Sequence, residues 1–467
     1  MLWKPLRLGA LPLLLVLCVP AAHPQEVGDA PKAAMVGDSV AALQSSAPAD
    51  IPDTRPVAGV QTIGLGSQAT SHSFLLPSFG VTTQVQFNPY NSGSAGNPSP
   101  GSTTYLSGRL ALNKISARSE LLLDYLTAGG FANYPNGGSS AIQSLDFAET
   151  IRGGRWTQTF GEQFTYLPAS SFNFGGMGGL GNFGVGLGGV GVAPGFRQDL
   201  VPNQSILTNG AARISNSALA QTTYALGYRS SLSFFGTYGT LHFLDGGLQN
   251  GTNIASGAGY NYLLSPLNSM SLSYGFSRFT FSQLAVGAES HTALISFARR
   301  ITGRLGFQVG AGPDFQVYRS PLAGPRSTFS WALNSGLNYQ LRNWETGFNY
   351  SHSLTGGSGV LPGAETDMFS GRIGRAFGSW QASVSAGYSR NKALLQTSFA
   401  TISPQGWYGG AQVSRRFVSF GSLFISYNAS GQSSLAAVCP LPACATNRVT
   451  QTVSLGYNWG FRPIVLQ

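Results

Sequence analysis

The chain is short of charge. Only 9% of its 467 residues are Asp, Glu, Lys or Arg, against about 25% in an ordinary soluble chain. A water-soluble surface of several domains, which this length would otherwise suggest, cannot be built from so few ions. Long apolar runs are also missing. After the N-terminus no stretch offers the roughly 18 uninterrupted apolar residues that a membrane-spanning helix requires, which excludes a helical membrane protein. Cysteine is limited to three residues and histidine to five, so a disulfide-rich scaffold is excluded, and no second Cys pair or nearby His completes a structural zinc site. No cofactor is expected.

What is plentiful is glycine (62 residues) and aromatic side chains (12%), arranged with a period of two. In Thr452 to Phe461 large apolar residues at Val453, Leu455, Tyr457, Trp459 and Phe461 alternate with small or polar ones. Ser271 to Ser277 repeats the pattern with Leu272, Tyr274 and Phe276, and Trp380 to Ser389 with Trp380, Ala382, Val384, Ala386 and Tyr388. A strand of that period has one oily and one wet face. The intervening residues are too small and polar to form a packed core, so the oily faces must meet a nonpolar surrounding. A closed barrel in lipid, wet inside and apolar outside, satisfies both conditions.

The organisation follows. Residues 1–22 read as a signal peptide, with Lys4 and Arg7 before the run Leu8 to Val19 and then Pro20-Ala21-Ala22. Residues 23–73, rich in Ala, Pro, Ser and Asp, read as a flexible periplasmic leader, and residues 74–467 as the barrel. Subtracting Lys4 and Arg7 from the formal charge of +10 leaves +8 for the mature chain. The arginines are spread singly rather than in a stripe, which argues against nucleic acid. Eight short connections and nine long Gly/Ser/Asn/Pro-rich ones join about 18 antiparallel strands, giving an even count with both ends in the periplasm. Within the strand expected at Trp156 to Leu167, Gln158 and Glu162 share the bulky face, which predicts a bulge or a reversed face there.

Candidate functional residues fall into four groups. The short connections collect Arg152, Arg155, Arg299, Arg300, Arg304, Arg415 and Arg416 at a periplasmic rim, suited to lipid headgroups and water or to an anion-attracting mouth. The third outer connection, Pro168 to about Arg213, is long enough to fold into the lumen as a constriction. Its candidates are Phe174, Met177, Leu180, Asn182, Phe183, Arg197 and Asp199. Asp124, Glu345 and Arg390 are expected to face the lumen and tune its electrostatics. Cys439 and Cys444 lie four residues apart in an exported chain and are expected to form a disulfide. The glycine-rich run carries no Lys-Ser or Lys-Thr and opens no helix, which disfavours a phosphate loop. Ser290 beside His291, and Ser351 and Ser353 beside His352, point to opposite faces of a strand, so no nucleophile–base pair forms locally and no enzyme is expected.

The signal peptide, the strand count, the long third connection and the aromatic last strand resemble the large general and sugar-type porins of Gram-negative outer membranes. Val201 to Leu207, Thr302 to Pro313 and Thr355 to Val360 resemble a group of little-characterised bacterial outer-membrane barrel proteins. Such porins usually end on an aromatic residue read by the assembly machinery, whereas Phe461 here is followed by Arg462 to Gln467. The resemblance implies an outer-membrane channel for passive diffusion of small hydrophilic solutes, in contact with outer-membrane lipid and with the barrel assembly machinery, and compatible with a homotrimer. An export port for polysaccharide or lipid, or a structural or adhesive surface barrel, would fit the same pattern. For the cysteines the expected outcome is that the unfolded, unreduced protein shows no free thiol by thiol titration and two after reduction. Two thiols before reduction would rule the bridge out.

Overall fold

The computed structural model describes residues 73–466 except 88–100, 133–138, 168–211, 245–249, 282–285, 303, 321–323, 342, 356–362, 395–404, 419–420 and 433–448. Residues 1–72 and 467 likewise lie outside the description, and with them the signal peptide, the leader, the proposed constriction loop and the Cys439–Cys444 pair.

The described residues contain no helix. They form β1 (Phe74–Phe87), β2 (Gly101–Ile115), β3 (Ser119–Ala132), β4 (Ser139–Gly153), β5 (Trp156–Leu167), β6 (Arg213–Ala225), β7 (Ser230–Phe243), β8 (Gly251–Ser265) and β9 (Asn268–Phe281). Then come β10 (Val286–Arg300), β11 (Leu305–Ser320), β12 (Gly324–Leu341), β13 (Trp344–Thr355), β14 (Ala364–Phe377), β15 (Trp380–Ala393), β16 (Gln405–Val418), β17 (Gly421–Gln432), β18 (Val449–Gly460) and the two-residue β19 (Ile464–Val465). Each of the first eighteen pairs antiparallel with its neighbours in sequence, and β18 pairs with β1. The ring is closed. The ring has the eighteen strands expected.

Register shows how the ring closes. Summed around the barrel, the pair offsets displace the strands by about 22 residues before β1 is met again. An even stagger is obligatory, because residues directly opposite share a face and an odd one would bring an inward residue onto the outer wall. With strands ~4.8 Å apart rising ~3.3 Å per residue, this stagger gives a tilt of about 40° and a backbone diameter of ~36 Å for a circular section.

The faces sort as the alternation demands. Leu272 and Tyr274, Val384 and Tyr388, and Leu455, Tyr457 and Trp459 are exposed on the outer wall, while Ser271, Ser273, Ser385, Ser389, Thr452 and Ser454 lie on the inner one, shielded by taller neighbours. Glycine supplies room for some of those neighbours. Gly387 faces Tyr408, and Gly456 faces Phe424, directly across their ladders. A Cβ on Gly387 would stand 2.1 Å from the Tyr408 ring, and one on Gly456 2.3 Å from Phe424. Each ring lies over a glycine on the next strand, an arrangement that restores cross-strand packing where a side chain is lacking.

Two expectations are corrected. First, β5 runs in unbroken register with β4 and β6, so the expected bulge is absent, and Gln158 and Glu162 do face outward. Asn216 Nδ2 donates to Glu162 Oε1 at 3.3 Å. The register shifts lie instead at Leu263/Ser265 and Arg416/Val418. Second, the long connections expected at Ser282 to Glu289 and Ser320 to Pro325 are shorter, because β10 begins at Val286 opposite Phe281, and Ser320 pairs with Gly324. The ladders simply continue past the sequence's turn signals. The residues after Phe461 continue the seam. Phe461 N donates to Pro77 O at 3.0 Å, β19 pairs with Phe74 and Leu75, and Leu466 N donates to Ser73 O at 3.0 Å.

Leu455 is 51% exposed near the middle of the outer wall, whereas Val449 starts its strand. Leu455→Arg is expected to destabilise the barrel in lipid vesicles by about 2–4 kcal/mol, and Val449→Arg by about 0–1 kcal/mol. Denaturant unfolding followed by tryptophan fluorescence reads both; equal costs would contradict the assigned depth.

Candidate functional site: the lumen wall and its two mouths

The inner wall carries its charge in a few places. On β2–β5 an ascending row starts at Arg109, whose Nε donates to Asp124 Oδ1 at 2.7 Å and whose Nη2 meets Asp124 Oδ2, a forked ion pair. Asp124 stands directly opposite Asp146 on β4, which faces Gln163 on β5, which faces Ser217 on β6. One carboxylate oxygen of Asp146 has no donor among the described residues. Arg109 forks onto only one of the two acids. Across the ring, Asp314 on β11 is gathered by Ser290, by Thr292 Oγ1 at 2.9 Å and by Gln316 Nε2 at 2.7 Å. These partners are neutral, and the carboxylate is buried beneath them.

Of the residues expected to line the lumen, Asp124 is on the inner wall, and position 345 belongs to the inner face by its pairing with positions 340 and 374. Arg390 is not. It shares the even-numbered face of Val384 and Tyr388 on β15, alternating with the buried Ser389 and Asn391, and so faces outward. The ladder with β14 carries no bulge, so Arg390 keeps the face of Tyr388 and of its register partner Asp367. Inward aromatics were missed. Tyr105, Phe279, Phe281, Tyr318, Tyr408 and Phe424 are buried on the inner face. The signal for two of them was a glycine at the facing position, legible only once the register is known.

The periplasmic ends of the strands gather arginine. Arg152 Nη2 reaches Glu120 Oε2 at 3.2 Å while remaining 63% exposed. Arg155 and Arg304 sit exposed in turns, and the pairs Arg299/Arg300 and Arg415/Arg416 each direct one residue to either face. On the outer side, Arg375 lies over the Trp344 ring at 4.8 Å, and Arg415 over Trp380 at 5.0 Å and Phe417 at 4.9 Å. These stacks join the cationic rim to an aromatic girdle at the membrane border.

The opposite mouth is narrowed by the wall itself. The β12–β13 ladder stops at Leu333/His352 although both strands continue, and β13–β15 lean inward there. As a result Leu354 packs into one apolar cluster with Phe279, Phe281, Val286, Ala288 and Tyr318 of the lumen side of β9–β11, with Leu394 against it. A Cβ on Gly363 would touch Leu394 at 3.1 Å and Ala288 at 3.5 Å.

His352 fastens this inward fold. Its ring stacks on Trp331 at 4.1 Å and 9°, its Nδ1 lies 2.7 Å from Asp367 Oδ1, and its Nε2 3.1 Å from Glu365 Oε1. Glu365 also accepts from Ser330 of β12 and from Lys392 Nζ at 3.3 Å, and Asp367 from Tyr350 Oη at 2.9 Å. The hydroxyl of Ser330 contacts the carboxylate and not the imidazole, which is not the order of a nucleophile and its base.

Closed pairing, an apolar outer wall and aromatic girdles leave one setting for these strands. The chain is an outer-membrane β-barrel. No family model matches its sequence, and no curated protein does. Among solved structures it is similar to OpdQ of Pseudomonas aeruginosa, with TM-score 0.42 and 11% identity over 84% of this chain and 99% of that one. It is also similar to OccAB3 of Acinetobacter baumannii, with TM-score 0.40 and 9% identity over 83% and 99%, and to the unliganded ferric citrate transporter FecA, with TM-score 0.40 and 11% identity over 83% and 64%.

Removing the fastening tests its role. His352→Ala deletes the imidazole's contacts with Asp367 and Glu365, a hydrogen bond to a carboxylate being worth about 1.5–3 kcal/mol, so the inward tips are expected to loosen and single-channel conductance to rise. Unchanged conductance and noise would mean that this mouth does not limit flow.

Proposed function

We propose that this barrel is a channel for passive diffusion of small hydrophilic solutes across the outer membrane. The observation that carries the reading is the composition of the inner wall: Ser, Thr, Asn, Gln and Gly recur on eighteen strands, with charge confined to a few stations. Such a wall can be wetted and offers passing solutes hydrogen bonds without a deep well, so entry and release both stay cheap. Flow is sieved at the narrowed mouth and biased by charge.

The bias is local. Arginine crowds the periplasmic end, while on the wall Asp146 and Asp314 share the inner face with Arg213, Arg326 and Arg372. A cationic group is favoured beside the acids, and an anionic one at the inner exit. A unit charge about 10 Å from a carboxylate in water gains about 0.4 kcal/mol, roughly a factor of two in occupancy.

Purified protein in planar bilayers is expected to form ion-conducting channels and in liposomes to admit small sugars. Asp146→Asn is expected to lower the cation-to-anion permeability ratio, read from the reversal potential in a salt gradient, by about twofold. Absence of both conductance and swelling would remove the channel reading; normal conductance with an unshifted reversal potential would remove only the role given to Asp146.

A further inference from the structure

Near the cell-surface ends of β9, β10 and β11, the outer wall carries charge. Arg278 stands directly opposite Glu289, and Arg319 opposite Gly287, two residues further along the same face. Arg278 Nε lies 3.6 Å from Glu289 Oε1, and Arg319 Nη2 2.9 Å from Glu289 Oε2. Glu289 is enclosed, with its side chain 12% exposed, while the arginines are 53% and 61% exposed. Each guanidinium has five N–H donors, and the carboxylate between them takes only one side of each. Two cations against one anion leave the group with a net positive charge.

Its height on the wall is informative. From Asn268 at the periplasmic turn to Arg278 is ten residues, ~33 Å along the strand and ~25 Å along the barrel axis at a tilt of about 40°. That is the height of the apolar band of an outer-membrane barrel, ~25 Å. Met270, Leu272, Tyr274 and Phe276 fill the outer face below Arg278, Ile254 lies opposite it on β8, and Phe315 and Ile295 are exposed on β11 and β10. The arginines thus rise from a greasy slope at the border of the outer leaflet. Arg375 and Arg415 at the other rim differ, since aromatic rings cover a guanidinium face there.

We propose that Arg278 and Arg319, spaced by Glu289, bind the phosphate of an outer-leaflet lipid headgroup, with its acyl chains on the apolar slope beneath. Glu289 keeps the two side chains from collapsing onto separate partners and directs their remaining donors toward one anion. A phosphate accepts such paired donors from arginine in forked geometry. The site rests on the membrane placement of the barrel and is independent of whether the bore conducts.

The probe is diphosphorylated lipid A, with its dephosphorylated form as control, added to the full-length protein in detergent and followed by native mass spectrometry. The wild type is expected to retain the phosphorylated lipid preferentially. Arg278→Ala and Arg319→Ala should each lower its apparent affinity about fivefold, and the double variant by about their product. Glu289→Gln should bind at least as well as the wild type, and Arg375→Ala at the periplasmic rim should match it. Equal retention by wild type and double variant, or equal retention of the dephosphorylated lipid, overturns the proposal. Resistance to denaturation by SDS at room temperature reports that each variant is folded. Should the double variant fail that check, Arg319→Ala, one residue from the end of β11, decides alone.

Discussion

In hydrocarbon a backbone N–H or C=O without a partner costs several kcal/mol, and water is not there to supply one. The whole architecture answers that constraint. A sheet can meet it only by having no edge, so β18 must find β1, and it does so with a stagger whose parity keeps each residue on its own face all the way round. The tail after Phe461 belongs to the same requirement. β1 extends four residues beyond Ser78, and β19 occupies part of the edge that would otherwise face lipid unpaired.

Closure then dictates composition. One face of every strand must dissolve in lipid, and the other cannot pack as a core because the opposite wall is too far away. Alternation of bulky and small residues is the only sequence that fits, which is why fold, strand number and turn placement were legible from period and turn chemistry alone. Contacts between strands were not. Tyr408 over Gly387 and Phe424 over Gly456 depend on register, and no single strand announces its register. Arg390 shows a different limit. Counting by twos along β15 would have placed it outward with Tyr388, but an isolated charge beside an aromatic strand invites the assumption that it turns inward. The outer wall tolerates such charges where they meet partners or headgroups, as Glu289 does between two arginines and Glu162 with Asn216.

The two ends of the barrel use charge differently. At the periplasmic end arginines lie on aromatic rings or in open turns, where water screens them and their long stems cover apolar surface. At the surface end the charged groups bind one another across strands: His352 with Asp367 and Glu365, Arg278 and Arg319 with Glu289. The sequence spacing of these residues gave no hint of that. His352 and Glu365 are separated by the β13–β14 connection, and the arginines by the whole of β10.

The inward lean of β13–β15 has a cost that the side chains must offset. Where the β12–β13 ladder ends, the facing edges of β12 beyond Leu333 and of β13 beyond His352 lose their mutual hydrogen bonds. Two interactions compensate at that point: the apolar contact of Leu354 and Leu394 with the lumen side of β9–β11, and the His352 cluster, in which Ser330 and Trp331 of β12 hold Glu365 and His352 of the strands that lean inward. A mouth narrowed by its own wall in this way is anchored on one side by hydrophobic burial, which is insensitive to salt and pH. The other side is anchored by the polar contacts of one imidazole with two carboxylates. Widening this mouth would therefore have to break both the polar fastening to β12 and the apolar contact with β9–β11.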